Sequence, residues 1–142
     1  MTDTVGVVTA SATSDALDAL VLPGRATACR LADDELMLVC EADVAGEVAR
    51  EVETRLTVLD PDALVVETTD GWGGDVLDGD DAGRVFARLS RLGLPAAGFV
   101  QGEVAHVPAK VVVGDGRIRI LVAASLEHHL RTRIARAREP TS

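Results

Sequence analysis

The chain has 142 residues, a hydrophobic fraction of 47% and a slightly positive mean hydropathy, which excludes disorder of the whole and suits one domain able to bury a core. Its only aromatics are Trp72, Phe86 and Phe99 and its formal net charge is −9, so base-stacking platforms and affinity for phosphate backbones or anionic lipid are not expected. The charge is uneven: residues 1–81 carry a net −15 and residues 82–142 a net +6.

Residues 1–24 read as a strand or an arm, ending at Pro23-Gly24. Two apolar stretches, residues 27–32 and 36–41, flank Asp33-Asp34 and predict a hairpin that places Cys29 beside Leu38 and Leu31 beside Leu36. Asp43 stands where a helix cap belongs, before a stripe of Val44, Val48, Val52, Leu56 and Leu59 that Asp60-Pro61-Asp62 stops. Residues 63–68 predict a strand, and Gly71, Gly73 and Gly74 a sharp turn or bulge around Trp72 before a short strand at 75–77. Asp80 or Asp81 caps the next helix, with Ala82, Val85, Phe86, Leu89 and Leu92 buried and Arg84, Arg88 and Arg91 together on another face. After a loop at 94–98, residues 101–113 predict one long strand or two short ones divided near Pro108, which asks for an edge or a bulge. Gly114-Asp115-Gly116 turns into a half-exposed strand from Arg117, and Ser125 caps a last helix with Leu126, Leu130, Ile134 and Ala137 inward.

Two strands then a helix, three times over, predict an α+β fold of antiparallel pairs. The expected organisation is an arm over 1–24, one body over 25–139 without an internal boundary, and a tail over 140–142. The strings Asp43-Val44-Ala45-Gly46 and Asp81-Ala82-Gly83 are too short to establish a repeat.

Few residues offer chemistry. His128 and His129 diverge by about 100° on a helix and cannot share one metal, so both read as solvated helix residues. His106 is expected in a strand on the face of Val104 and Pro108, where it either lines a pocket or makes a structural hydrogen bond. The acids of Asp78-Gly79-Asp80-Asp81 lack the glutamate that closes a calcium loop, so no metal site is expected. No glycine cluster forms a nucleotide fingerprint. Cys29 and Cys40 lie among aliphatic residues and read as reduced core thiols, and with no apolar run near the roughly 18 residues that span a bilayer, a cytoplasmic protein is expected. The arginine bias, with Lys110 the one lysine, fits a GC-rich genome as well as any function. Arg84, Arg88 and Arg91 are candidates for a partner interface, though a solvated face fits equally, and Arg88→Glu is expected to spare the fold.

The order of several strings carries a resemblance: Arg30-Leu31-Ala32-Asp33-Asp34-Glu35-Leu36-Met37-Leu38, Val65-Val66-Glu67-Thr68-Thr69-Asp70-Gly71-Trp72 and Leu77-Asp78-Gly79-Asp80-Asp81-Ala82. Gly93-Leu94-Pro95, Phe99-Val100-Gln101-Gly102 and Val104-Ala105-His106-Val107-Pro108-Ala109 continue it. Together these resemble the gamma subunit family of heterotetrameric sarcosine oxidase, whose fold is similar to the folate-binding domain of the glycine-cleavage aminomethyltransferase. The resemblance implies a non-catalytic small subunit that docks on larger subunits, which hold flavin and NAD, and that binds no cofactor by itself. The alternative it leaves is a stand-alone folate or pterin module, as a homodimer or alone, with tetrahydrofolate as ligand and Trp72, Gln101 and His106 as candidate contacts. A third reading is an independent enzyme built on His106 and nearby acids.

Overall fold

A computed structural model describes residues 5–140. The fold is α+β, with two four-stranded antiparallel sheets and four helices. The chain divides into two compact units, Met1–Thr69 and Asp70–Ser142.

The first unit contains β1 (Val5–Ser11), α1 (Ser14–Ala19), β2 (Thr27–Ala32), β3 (Glu35–Glu41), α2 (Ala45–Leu59) and β4 (Leu64–Glu67), with strand order β2-β3-β1-β4. The opening segment is therefore an interior strand, and Val7 and Val8 are fully buried. One sheet face supplies Val8, Ala10, Leu36, Leu38 and Cys40 to a core completed by Leu17 of α1 and by Val48, Val52 and Leu56 of α2. Leu59, placed in the buried stripe by spacing, is 44% exposed, because the helix turns it away at its last residue. Asp43 caps nothing: a 3-10 turn over Ala42–Val44 precedes α2, whose N-cap is Val44 without a side-chain bond.

The β2–β3 hairpin forms, with a different register. Cys29 pairs with Met37 and Ala28 with Leu38, and the shift from the expected pairing is absorbed by an irregularity between Arg30 and Ala32. A one-residue slip exchanges the two faces of a strand, so Cys29 faces away from the core that receives Cys40. Arg30 secures the irregular turn by donating to the carbonyls of Ala32 and Asp33 and to Asp18 Oδ1 of α1 at 2.9 Å.

In the second unit β5 (Trp72–Leu77), α3 (Ala82–Leu89), β6 (Gly98–Val104), β7 (Val107–Gly114), β8 (Arg117–Ala123) and α4 (Glu127–Arg138) build a sheet ordered β5-β8-β7-β6. Leu77, Val104, Val111, Ile118, Ile120 and Val122 pack beneath Val85, Phe86 and Leu89 of α3 and Leu130, Ile134 and Ala137 of α4. The strands expected to pair around the glycine segment, β4 and β5, belong to different sheets. In place of the expected turn or bulge before a strand at 75–77, Gly73 and Gly74 lie inside β5, in regular register with β8, where the packing needs close approach. A Cβ on Gly73 would lie 2.6 Å from Glu127 Cβ, and one on Gly74 would strike the Ile120 carbonyl of β8.

Residues 101–113 belong to two strands, which divide at Ala105-His106, just before Pro108. Both turn residues have positive φ, 52° and 70°, as a two-residue hairpin of the I′ type requires. Pro108 follows in β7, an interior strand; it pairs with Glu103 of β6, while pairing to β8 begins at Lys110. The missing N–H therefore falls outside the β7–β8 ladder.

α3 ends at Leu89, earlier than Gly93 would end it, and Ser90 is already extended. Leu92 is consequently outside the helix, packed over Gly102. Neither Asp81 nor Ser125 makes a side-chain cap bond: Asp81 pairs with Arg84 at 3.2 Å, and a 3-10 turn over Ala124–Leu126 leads into α4.

Candidate functional site

Alternation along strands decides what the second sheet shows on the side away from its helices. Even-numbered residues of β6 and β8 and odd-numbered ones of β7 enter the core under α3 and α4, with Ile118, Ile120 and Val122 inward from β8. The opposite face presents Gln101 and Glu103 of β6, Pro108 and Lys110 of β7, Ala123 of β8 and Trp72 of β5. Register aligns them in rows, Gln101 beside Lys110 and Glu103 beside Pro108, with Trp72 opposite Ala123. These side chains, together with Leu126, line a cavity of about 560 Å3.

That volume is within the range of small-molecule sites, and the lining is mainly apolar with a few polar groups, as such sites are. Lys110 Nζ donates to Gln101 Oε1, which fixes the amide and leaves its NH2 free to donate. Trp72 is half-buried at the other wall, where an indole offers a flat apolar surface and one N–H donor. The arrangement can hold a flat, partly apolar molecule by stacking and orient it by an ammonium, an amide and the Glu103 carboxylate. Its lining holds no serine, threonine, cysteine or histidine.

Two of the three ligand candidates, Trp72 and Gln101, thus meet in one cavity. His106 does not join them. It occupies the β6–β7 turn with its side chain 76% exposed, 3.8 Å from the Glu103 carboxylate, and borders another cavity of about 540 Å3 with Arg88, Arg91 and Arg133. Lys110 and Glu103 were missed. Pairing around a turn at 105–106 would have set Gln101 beside Lys110, but Ala-His carries none of the glycine or asparagine that marks such a turn.

The three arginines do not form one face. Arg84 pairs with Asp81, and Arg91 lies beyond the end of α3. Arg88 Nη1 donates to the carbonyls of Ala137 and Glu139, 2.8 Å each, at the C-terminal end of α4. A helix leaves its last carbonyls unpaired and its end partly negative, so a guanidinium there is a cap.

Other reactive groups are engaged structurally. His129, read as solvated, is half-buried with Nε2 2.9 Å from the Ala105 carbonyl, so it carries a proton there and donates. Its neighbour His128 is exposed. Ser90 Oγ donates to the Glu103 carbonyl at 2.6 Å and accepts from Leu92 N–H. Cys29 and Cys40 are buried and form no disulfide; burial pushes the Cys40 thiol up, away from the reactive thiolate. Among the described residues no group of three His, Cys, Asp or Glu side chains could hold a metal ion, and no helix is long and apolar enough to cross a membrane.

No protein-family model and no curated protein sequence matches the chain. Solved structures do. One is a heterotetrameric sarcosine oxidase from Corynebacterium sp. U-96 in complex with pyrrole 2-carboxylate, 18% identical in sequence, with a TM-score of 0.78 over 96% of this chain and 80% of the matched one. At that identity the likeness is one of fold, and it takes in both units: the chain has the fold of a sarcosine oxidase subunit.

Proposed function

We propose that the chain is a non-catalytic subunit of a sarcosine-oxidase-type complex in the cytoplasm, seated on larger subunits that hold the flavin and NAD. The observation that carries this reading is the fold, similar over nearly the whole chain to that of a protein that works as a heterotetramer. The engagement of Ser90, Cys40 and His129 in structural bonds supports it further. In this reading the chain contributes surface and stability, and the redox chemistry belongs to its partners. Sarcosine-dependent peroxide formation tests the division of labour: the purified chain alone should give none and the assembled complex should turn over. Turnover by the chain alone would refute the reading and return His106 to consideration, with His106→Ala as the discriminating variant.

A second reading, a stand-alone folate or pterin module, is favoured by the cavity that joins Trp72 to Gln101 and Lys110. The stacking wall and donor-acceptor pair fit a flat heterocycle. Trp72 is the one tryptophan, so its fluorescence reports directly on occupancy. Titration with tetrahydrofolate should leave the emission unchanged if the chain is only a docking subunit, and saturable quenching that is lost in Gln101→Ala would support the module.

A further inference from the structure

The cavity that His106 borders differs in kind from the one that joins Trp72 to Gln101. Its volume is about 540 Å3, and its walls are the end of α3, the extended segment that follows, Glu103 of β6, His106 of the β6–β7 turn and Arg133 of α4. The charged groups lining it are three arginines, Arg88, Arg91 and Arg133, against one carboxylate, Glu103. That is a local net +2 on a chain whose formal charge is −9. Like charges gathered around one concavity focus their field into it.

The walls are held by bonds that leave this charge in place. The Ala105 N–H donates to the Leu89 carbonyl at 2.7 Å, Ser90 Oγ fastens the segment after α3 to the Glu103 carbonyl at 2.6 Å, and His129 Nε2 of α4 donates to the Ala105 carbonyl at 2.9 Å. Arg88 directs Nη1 to the carbonyls at the end of α4, which accept hydrogen bonds without cancelling the positive charge. Arg91 and Arg133 differ from it: among the described residues neither has a hydrogen-bonded or ion-paired partner. Arg133 is nevertheless half-buried, and a cation drawn partly out of water without a counter-charge is held there at a cost. Glu103, the acid of this lining, lies 3.8 Å from the His106 ring.

Ligand chemistry follows from these groups. Two guanidinium groups on separate elements offer two charges and forked N–H donors, and His106 adds a ring nitrogen from the turn. A carboxylate is planar and carries one charge, so it answers one arginine. A phosphate monoester carries nearly two charges at neutral pH and three acceptor oxygens, and answers both. Ala87 and Leu92 give part of the wall an apolar character that suits the organic portion of such an ester. We infer that this cavity binds a small phosphate monoester, its phosphoryl group held by Arg91 and Arg133.

Calorimetric titration of the full chain with phenyl phosphate tests the assignment, with benzoate, a similar ring bearing a planar monoanion, as the comparison. Phenyl phosphate should bind saturably at one site and more tightly than benzoate. Arg91→Gln and Arg133→Gln should each weaken it about tenfold or more. Arg136→Gln, which removes the same charge from an exposed position of α4 outside the cavity, should leave the affinity nearly unchanged. Arg91 is exposed and lies beyond α3, so Arg91→Gln should melt as wild type does and decides the matter even if Arg133→Gln fails to fold. The assignment is overturned by an absence of saturable binding, by equal losses in the Arg91 and Arg136 variants, or by benzoate binding as tightly as phenyl phosphate. The titration uses the chain alone, so its failure would leave the docking reading untouched.

Discussion

Gly73 and Gly83 look alike in sequence and differ in what surrounds them. Beneath Gly73 lies Glu127, whose Oε2 accepts from the Gly74 N–H at 2.9 Å, while nothing lies within 4 Å of a Cβ on Gly83, inside α3. Gly73→Ala should therefore destabilise by about 1 to 3 kcal/mol through overpacking, and Gly83→Ala should stabilise by up to about 1 kcal/mol through helix propensity. Urea unfolding of the two variants checks both signs. Phe86, 2% exposed under the second unit's core, should cost about 3 to 5 kcal/mol on truncation to alanine; a loss below about 1 kcal/mol would mean that the α3 register is wrong. His106 at φ 70° is held in a conformation glycine prefers. His106→Gly should raise the melting temperature, an effect a hydrogen-bonded strand histidine would not give.

At the scale of elements, α4 is tied down at both ends by residues distant in sequence. Glu127 grips β5 through Gly74, and Arg88 of α3 caps the final carbonyls. Arg88→Glu, harmless on an exposed face, should instead destabilise the second unit by about 1 to 3 kcal/mol, because two carbonyls lose a charged donor and gain a negative neighbour. Thermal unfolding of Arg88→Glu against Arg84→Glu separates the two situations. The element order from β2 onward, the α3 stripe of Ala82, Val85, Phe86 and Leu89, and the Asp115-Gly116 turn were legible because each depends on neighbours in sequence, whereas the short helix α1 was not. What was not legible depended on distant partners: the glycines of β5 are dictated by Glu127 and Ile120, and the cap of α4 comes from α3. The β2–β3 register was missed by one because the irregularity at Leu31 is stabilised by Arg30, whose ligands span Ser14 to Asp33. Half of the candidate cavity was legible for the same reason: Trp72 and Gln101 were conspicuous alone, whereas Lys110 enters only through the pairing of β6 with β7.

On the scale of the molecule, each unit repeats one plan. β1-α1-β2-β3-α2 has strands ordered β2-β3-β1, and β5-α3-β7-β8-α4 has β7-β8-β5, with β6 added beside β7. In both, the third strand runs through a 3-10 turn into the second helix, and a glycine of the first strand gives that helix start room: Gly6 under Ala45, Gly73 under Glu127. The short strings noticed in sequence equate α2 with α3, whereas the topology equates α2 with α4. The net charge is concentrated in the first unit. On the proposed reading, a chain organised in this way works through what it touches. Mass determination by light scattering on the chain co-expressed with the larger oxidase subunits addresses that claim most directly. The account predicts that the chain elutes within a particle several times its own 14.8 kDa and in fixed ratio to the larger subunits; elution as a separate 14.8 kDa species beside an intact oxidase would contradict it.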